Sequence, residues 1–147
     1  MTLFTVFDEN TALYMDNNIK KFIKDKGNLT KGTTVDALKA DPDFQESNLM
    51  HSINGYGYGN LRGLNMEVGD RVRWYVLGMG TEVDLHSAHW HANTLLWNGN
   101  RVDMIELLPA SMKTLDMVPD NPGKWLFHCH VNDHIDAGMI TTFNVTS

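Results

Sequence analysis

Six of the seven histidines sit in two short runs, His86, His89 and His91 in HSAHWH and His128, His130 and His134 in HCHVNDHIDAGM. The second run also holds Cys129, the only cysteine in the chain. Side chains on a β-strand alternate between its faces. A strand over 124–130 therefore points His128 and His130 one way and Cys129 the other. His134 and Met139 follow at Cys-x4-His-x4-Met spacing, short enough for the chain to fold back toward the cysteine. A thiolate, two imidazoles and a long axial thioether are the ligand set of a blue copper site. Cys129, His134 and Met139 supply three of the four, and the second histidine comes from the other run. There His89 and His91 share a face opposite Trp90, and a regular strand turns His86 away from both. One copper would take His86, Cys129, His134 and Met139. A second metal locus would take His89, His91, His128 and His130. Zinc is the rival metal at histidine-rich sites, but it accounts less well for Met139. Singly, each residue has a plainer reading: a hydrogen-bonded histidine, a methionine filling core, a small buried cysteine. The agreement of ligand type, spacing and facing is what points to copper.

The rest of the chain reads as many short strands. In 71–77, Val72, Trp74 and Val76 share one face, and Phe4 and Val6 mark an opening strand. Further strands are expected over 82–90, 93–97, 101–107, 111–117, 124–130 and 139–145. Asn98-Gly99 predicts a hairpin turn, and Asp120-Asn121-Pro122-Gly123 a turn before the last metal motif. This pattern predicts an all-β antiparallel sandwich or barrel. The polar stretch 17–47 breaks the pattern and reads as a long surface loop with a helical turn or two. The length predicts a single domain over 1–147.

Composition narrows the function. A net charge of −6 argues against a nucleic-acid partner, which needs a basic footprint. No apolar run approaches the roughly 18 residues of a membrane span, and Met1–Phe7 lacks the pattern of a signal peptide. One cysteine excludes an internal disulfide.

At these motifs the sequence resembles the multicopper oxidases, which include laccases and ceruloplasmin-like ferroxidases. HSAHWH matches the family's His-x2-His-x-His pattern, and HCHVNDHIDAGM its His-Cys-His-x3-His-x4-Met pattern. The stretches FTVFDEN, ESNLMHSING and LGMGTEVDLHSAHWH are also similar. The resemblance implies a cupredoxin-like Greek-key fold. It implies a type 1 copper at His86, Cys129, His134 and Met139 that takes electrons from substrate. It assigns His89 to a type 2 copper and His91, His128 and His130 to a type 3 pair. Those three coppers reduce dioxygen to water, and Cys129 passes electrons through its backbone to His128 and His130. The family's trinuclear cluster takes eight histidines, and this chain offers four. The resemblance therefore implies a companion cupredoxin domain or a homo-oligomer, and a secreted or periplasmic setting. The alternatives are an electron-transfer cupredoxin with only a type 1 copper, or a metal-silent structural domain.

Two substrate classes stand open. Glu46, His51 and Asp133 match positions at which ceruloplasmin-like ferroxidases bind Fe(II), and hard oxygen ligands suit a small cation. ESNLMHSING equally resembles laccase-type relatives that oxidise phenols. Asp84 stands near enough to His86 in sequence to orient its imidazole. Trp90 and Trp97 read as core packing.

Overall fold

The computed structural model describes residues 1–24, 33–81 and 84–147. Eleven strands are described: β1 (Thr2–Asp8), β2 (Leu49–Ile53), β3 (Asn65–Glu67), β4 (Val72–Gly78), β5 (His86–Trp90), β6 (Leu95–Trp97), β7 (Asn100–Val102), β8 (Met104–Leu107), β9 (Ser111–Met117), β10 (Gly123–Cys129) and β11 (Ile140–Thr146). They form two sheets, ordered β2-β1-β4-β9-β6-β7 and β3-β11-β10-β5-β8. Successive strands repeatedly change sheet, so this is the all-β sandwich that the alternating pattern predicts. β1 pairs with β4 and β11 with β3 in parallel, and β10–β11, β10–β5, β4–β9, β5–β8, β6–β7 and β6–β9 are antiparallel.

Each strand turns one face inward, and the inner faces fill the space between the sheets. Trp74, Val76 and Leu115 from one sheet join Trp90, Phe127 and Phe143 from the other in a single buried cluster. The Trp74 ring meets Trp90 edge-on at 5.5 Å. Trp90 is thus core, as expected, whereas Trp97 is half-buried and carries Lys113 Nζ 5.0 Å above its ring. Trp97 pairs with Asn100 across Asn98 and Gly99, whose φ angles are 49° and 83°. That is the positive-φ hairpin turn that Asn-Gly favours.

The expected strand 101–107 divides in two. β7 pairs with β6 in one sheet and β8 with β5 in the other, so Asp103 marks the crossing. In the expected strand 82–90, Glu82 and Val83 lie outside the described residues, and β5 begins at His86.

The chain divides into two compact units, Met1–Val6 with His51–Ser147, and Phe7–Met50. The second unit holds the stretch 17–47, read from the sequence as a long surface loop with a helical turn or two. It carries α1 (Met15–Asn18), a π-helical turn (Ile19–Lys24), α2 (Val35–Lys39) and α3 (Pro42–Ser47). Thr34 caps α2 by accepting from the Ala37 amide, and Asp41 caps α3 by accepting from the Asp43 and Phe44 amides. Residues 25–32 of that stretch lie outside the described residues. Among the described residues, no helix is long and apolar enough to cross a membrane.

Candidate metal centre

The centre is built on the antiparallel pair β5–β10. Its register sets Phe127 opposite Trp90, His128 opposite His89 and Cys129 opposite Ala88. Phe127 and Trp90 are wholly buried, with ring centroids 4.9 Å apart. They pin this register, because a slip of one residue would turn both rings out of the core. The same alternation delivers His86 and Cys129 to the inner face and His89, His91 and His128 to the outer one.

On the inner face, His86, Cys129 and His134 bring one ligand atom each to within 4.8 Å of the others. The two histidine Nδ1 atoms lie 3.2 Å apart, and Cys129 Sγ lies 3.7 Å from His134 Nδ1. All three residues are buried. His134 is carried by α4 (Asn132–Asp136), directly after β10. Beyond α4 the chain returns: the Met139 amide donates to the His134 carbonyl at 2.9 Å, and the Cys129 amide donates to the Met139 carbonyl at 3.0 Å. Met139 is fully buried there. His86 Nε2 lies 3.2 Å from the Met79 carbonyl, an acceptor, so a neutral ring carries its proton on Nε2 and turns its Nδ1 lone pair toward His134. Burial holds the His86 imidazole below its usual pKa, and the neighbouring His134 adds to the shift. Burial pushes the Cys129 thiol up, against the pull of the Ser87 and Val131 amides.

On the outer face, His89 Nδ1 and His91 Nε2 lie 3.3 Å and 2.9 Å from His128 Nε2. His128 turns its Nδ1 to the Cys129 carbonyl at 2.7 Å, which leaves Nε2 free as an acceptor toward the other two rings. Burial lowers the pKa of both His89 and His128, and nearby imidazoles lower it further. His130 stands at the rim, exposed, with its ring 5.2 Å from His89 and 5.6 Å from His128. It lies outside the group whose nitrogens converge among the described residues.

Of the substrate-side residues, His51 is buried with its ring 4.9 Å from His134, and its Nδ1 has no hydrogen-bond partner among the described residues. Asp133 is exposed on α4, one residue before His134. Glu46 is exposed on α3, in the unit Phe7–Met50. Asp84 does not hydrogen-bond His86: its carboxylate accepts from the Thr81 amide and hydroxyl at 2.6 and 3.2 Å, closing a turn. The orienting acceptor for His86 is the Met79 carbonyl, a backbone group that no sequence pattern announces. Sequence reasoning also missed Asp103, whose carboxylate lies 3.8 Å from His89 Nε2.

Neither convergent group contains a carboxylate. The inner group combines a thiolate-forming sulfur with imidazoles, and the outer group is imidazole alone. Such soft and borderline donors suit copper better than a hard cation. Two of the rings are also fixed by carbonyl acceptors, as is usual for metal-binding histidines. The multicopper oxidase profile matches residues 28–147. The chain belongs to the multicopper oxidase family. Within the family, it is 47% identical to human ceruloplasmin over 146 residues, covering 97% of this chain and 13% of that protein. Against human hephaestin the identity is 46% over 149 residues, covering 99% of this chain and 12% of that protein. Human ferroxidase HEPHL1 is 46% identical over 147 residues, with 97% and 12% covered. This multicopper oxidase domain thus spans about an eighth of the length of those relatives. A solved multicopper oxidase from Campylobacter jejuni, described as a metallo-oxidase, has the same fold, with a TM-score of 0.62 at 19% identity. It covers 99% of this chain and 29% of that one.

Proposed function

We propose that this domain is the substrate-oxidising part of a ferroxidase-type multicopper oxidase. The observation that carries the proposal is the end of β10, where adjacent residues serve two ligand groups on opposite faces of one sheet. His86, Cys129, His134 and Met139 would hold a copper that would supply one-electron oxidation of substrate, and His89, His91, His128 and His130 would hold copper that would supply reduction of dioxygen to water. Cys129 links the two groups through a single peptide to His128 and another to His130. The 2.7 Å contact from His128 Nδ1 to the Cys129 carbonyl gives a second, hydrogen-bonded connection. Burial disfavours the charged form of His86, His89 and His128, so their lone pairs are open to a cation, and the raised thiol pKa keeps the Cys129 proton in place until a cation displaces it.

Fe(II) is the proposed substrate, supported by the similarity to a protein named as a ferroxidase. His51 and Asp133 flank His134 and are the proposed substrate-side residues in this unit. Glu46 joins them by resemblance alone. The four histidines are half of a trinuclear set, so a companion domain or a second copy of the chain would complete it. A secreted or periplasmic setting belongs to the same proposal. One observation favours the alternative of an electron-transfer cupredoxin: His130 stands apart from its three neighbours at the rim.

The test is Fe(II) oxidation followed together with dioxygen uptake, on copper-loaded parent protein assembled with a second copy or a companion domain, and on a Cys129→Ser variant in the same assembly. The expected result is dioxygen uptake in the stoichiometry of full reduction to water, lost with the blue colour in the variant. Oxidation that survives Cys129→Ser would overturn the electron route.

A further inference from the structure

The turn Tyr56–Gly59 holds its only bulky left-handed residue directly over the Met139 loop. Tyr58 has φ +55°, a conformation unusual for a large side chain. Its amide donates to the Gly138 carbonyl at 2.7 Å, and the Gly59 amide donates to the Ile140 carbonyl at 2.9 Å. The turn therefore runs beside residues 138–140, bracketing Met139 from both sides. The Tyr58 ring lies flat on Gly138: a methyl added there would meet three ring carbons at 2.8 Å. Gly57 is as confined, since a Cβ there would lie 3.1 Å from the His51 carbonyl and 3.5 Å from that of Gly138. Met139 itself is wholly buried and tied through its backbone to both Cys129 and His134.

An outlying backbone angle persists where the surroundings enforce it, and such sites gather near function. Here the contacts of Tyr58 itself, its amide bond and its ring, fall on the loop that carries the methionine. Tyr58 is 73% exposed, so its ring contributes little to the core between the sheets. We infer that Tyr58 is a positioning residue for Met139, a wedge that fixes the loop presenting Met139 beside Cys129 and His134, and so how its thioether would meet a copper held there. The inference rests on the proposed copper site. The reduction potential of such a site depends on its axial ligand, so the wedge would act as a potential-setting device.

The experiment compares copper-loaded parent, Tyr58→Phe and Tyr58→Gly chains by visible absorption, electron paramagnetic resonance and redox titration of the blue centre. Glycine accepts φ +55° without strain and removes the ring. Phenylalanine keeps the ring and removes only the hydroxyl. The expected result is a parent-like Phe variant, and a Gly variant with a displaced charge-transfer band, a shifted potential and roughly tenfold weaker copper retention against a chelator. Tyr58→Asn also tolerates positive φ and serves as a second ringless variant. Ringless variants with the parent spectrum and potential would overturn the assignment, as would a Phe variant shifted as far as they are. It also falls if both ringless chains lose the far-ultraviolet sheet signal without metal, which would make the ring a folding element. A parent chain that gives no blue centre at all would instead sink the copper-site proposal.

Discussion

At the scale of single residues, the centre is organised by which nitrogen of each ring faces inward. The Met79 carbonyl fixes His86, and the Cys129 carbonyl fixes His128. Both acceptors belong to the backbone, so the tautomers follow from the fold and not from a second side chain. The same burial makes the metal-free protein sensitive to pH in two directions. His86, His89 and His128 have folded pKa values below the ordinary 6.5. As pH falls through that value the unfolded chain takes up protons that the folded chain refuses, so stability is lost on the acid side. Cys129 has a folded pKa above the ordinary 9.0. Above that value the unfolded chain releases a proton that the folded chain retains, so stability is lost on the alkaline side. Urea unfolding of the metal-free protein should therefore give a midpoint that peaks between about pH 7 and pH 9. Cys129→Ser should flatten the alkaline limb and leave the acid limb in place. A midpoint that rises on acidification from pH 7 would contradict this reading.

At the scale of elements, the β5–β10 pair does most of the work. Ala88 is wholly buried opposite Cys129, between the two ligand groups. Enlarging it to leucine overpacks the space between the sheets and displaces the β5–β10 pair on which both groups depend. Ala88→Leu should cost about 1–3 kcal/mol in urea unfolding, and both the blue centre and the outer copper signal should weaken together. Loss of one with the other intact would mean that the groups are not positioned by the same strand pair. This element was legible in the sequence because alternation is a strong signal. In His128-Cys129-His130 the residue types alone announce opposite faces, and Trp90 and Phe127 supply the buried rings that hold register. The hairpin at Asn98-Gly99 was legible for a similar reason, since its backbone demands positive φ. Other features were hidden. The helices of Phe7–Met50 are four to six residues long, too short for a hydrophobic period to show. The break at Asp103 is set by which sheet each half joins, a tertiary choice that local sequence does not carry. The carbonyl that orients His86 and the turn that covers Gly138 come from segments distant in sequence.

At the scale of the molecule, three ligand atoms converge on each side of the β5–β10 pair, from His86, Cys129 and His134 inward and from His89, His91 and His128 outward. The inner set is closed by a single loop, from Cys129 through α4 to Met139. The outer set is half-buried at His89 and His91 and buried at His128, with His130 exposed at its rim. Under the proposed function, a partner would bring further imidazoles to this face, and a two-fold pairing of copies would present four plus four. Copper content per chain with electron paramagnetic resonance, on copper-loaded protein of known oligomeric state, tests whether the two groups form an oxidase half-site. The expected result is more than one copper per chain in an oligomer or joined to a companion domain, with type 1 and type 2 signals together. About one copper per chain with a type 1 signal alone, in that same assembled state, would contradict it and leave an electron-transfer cupredoxin.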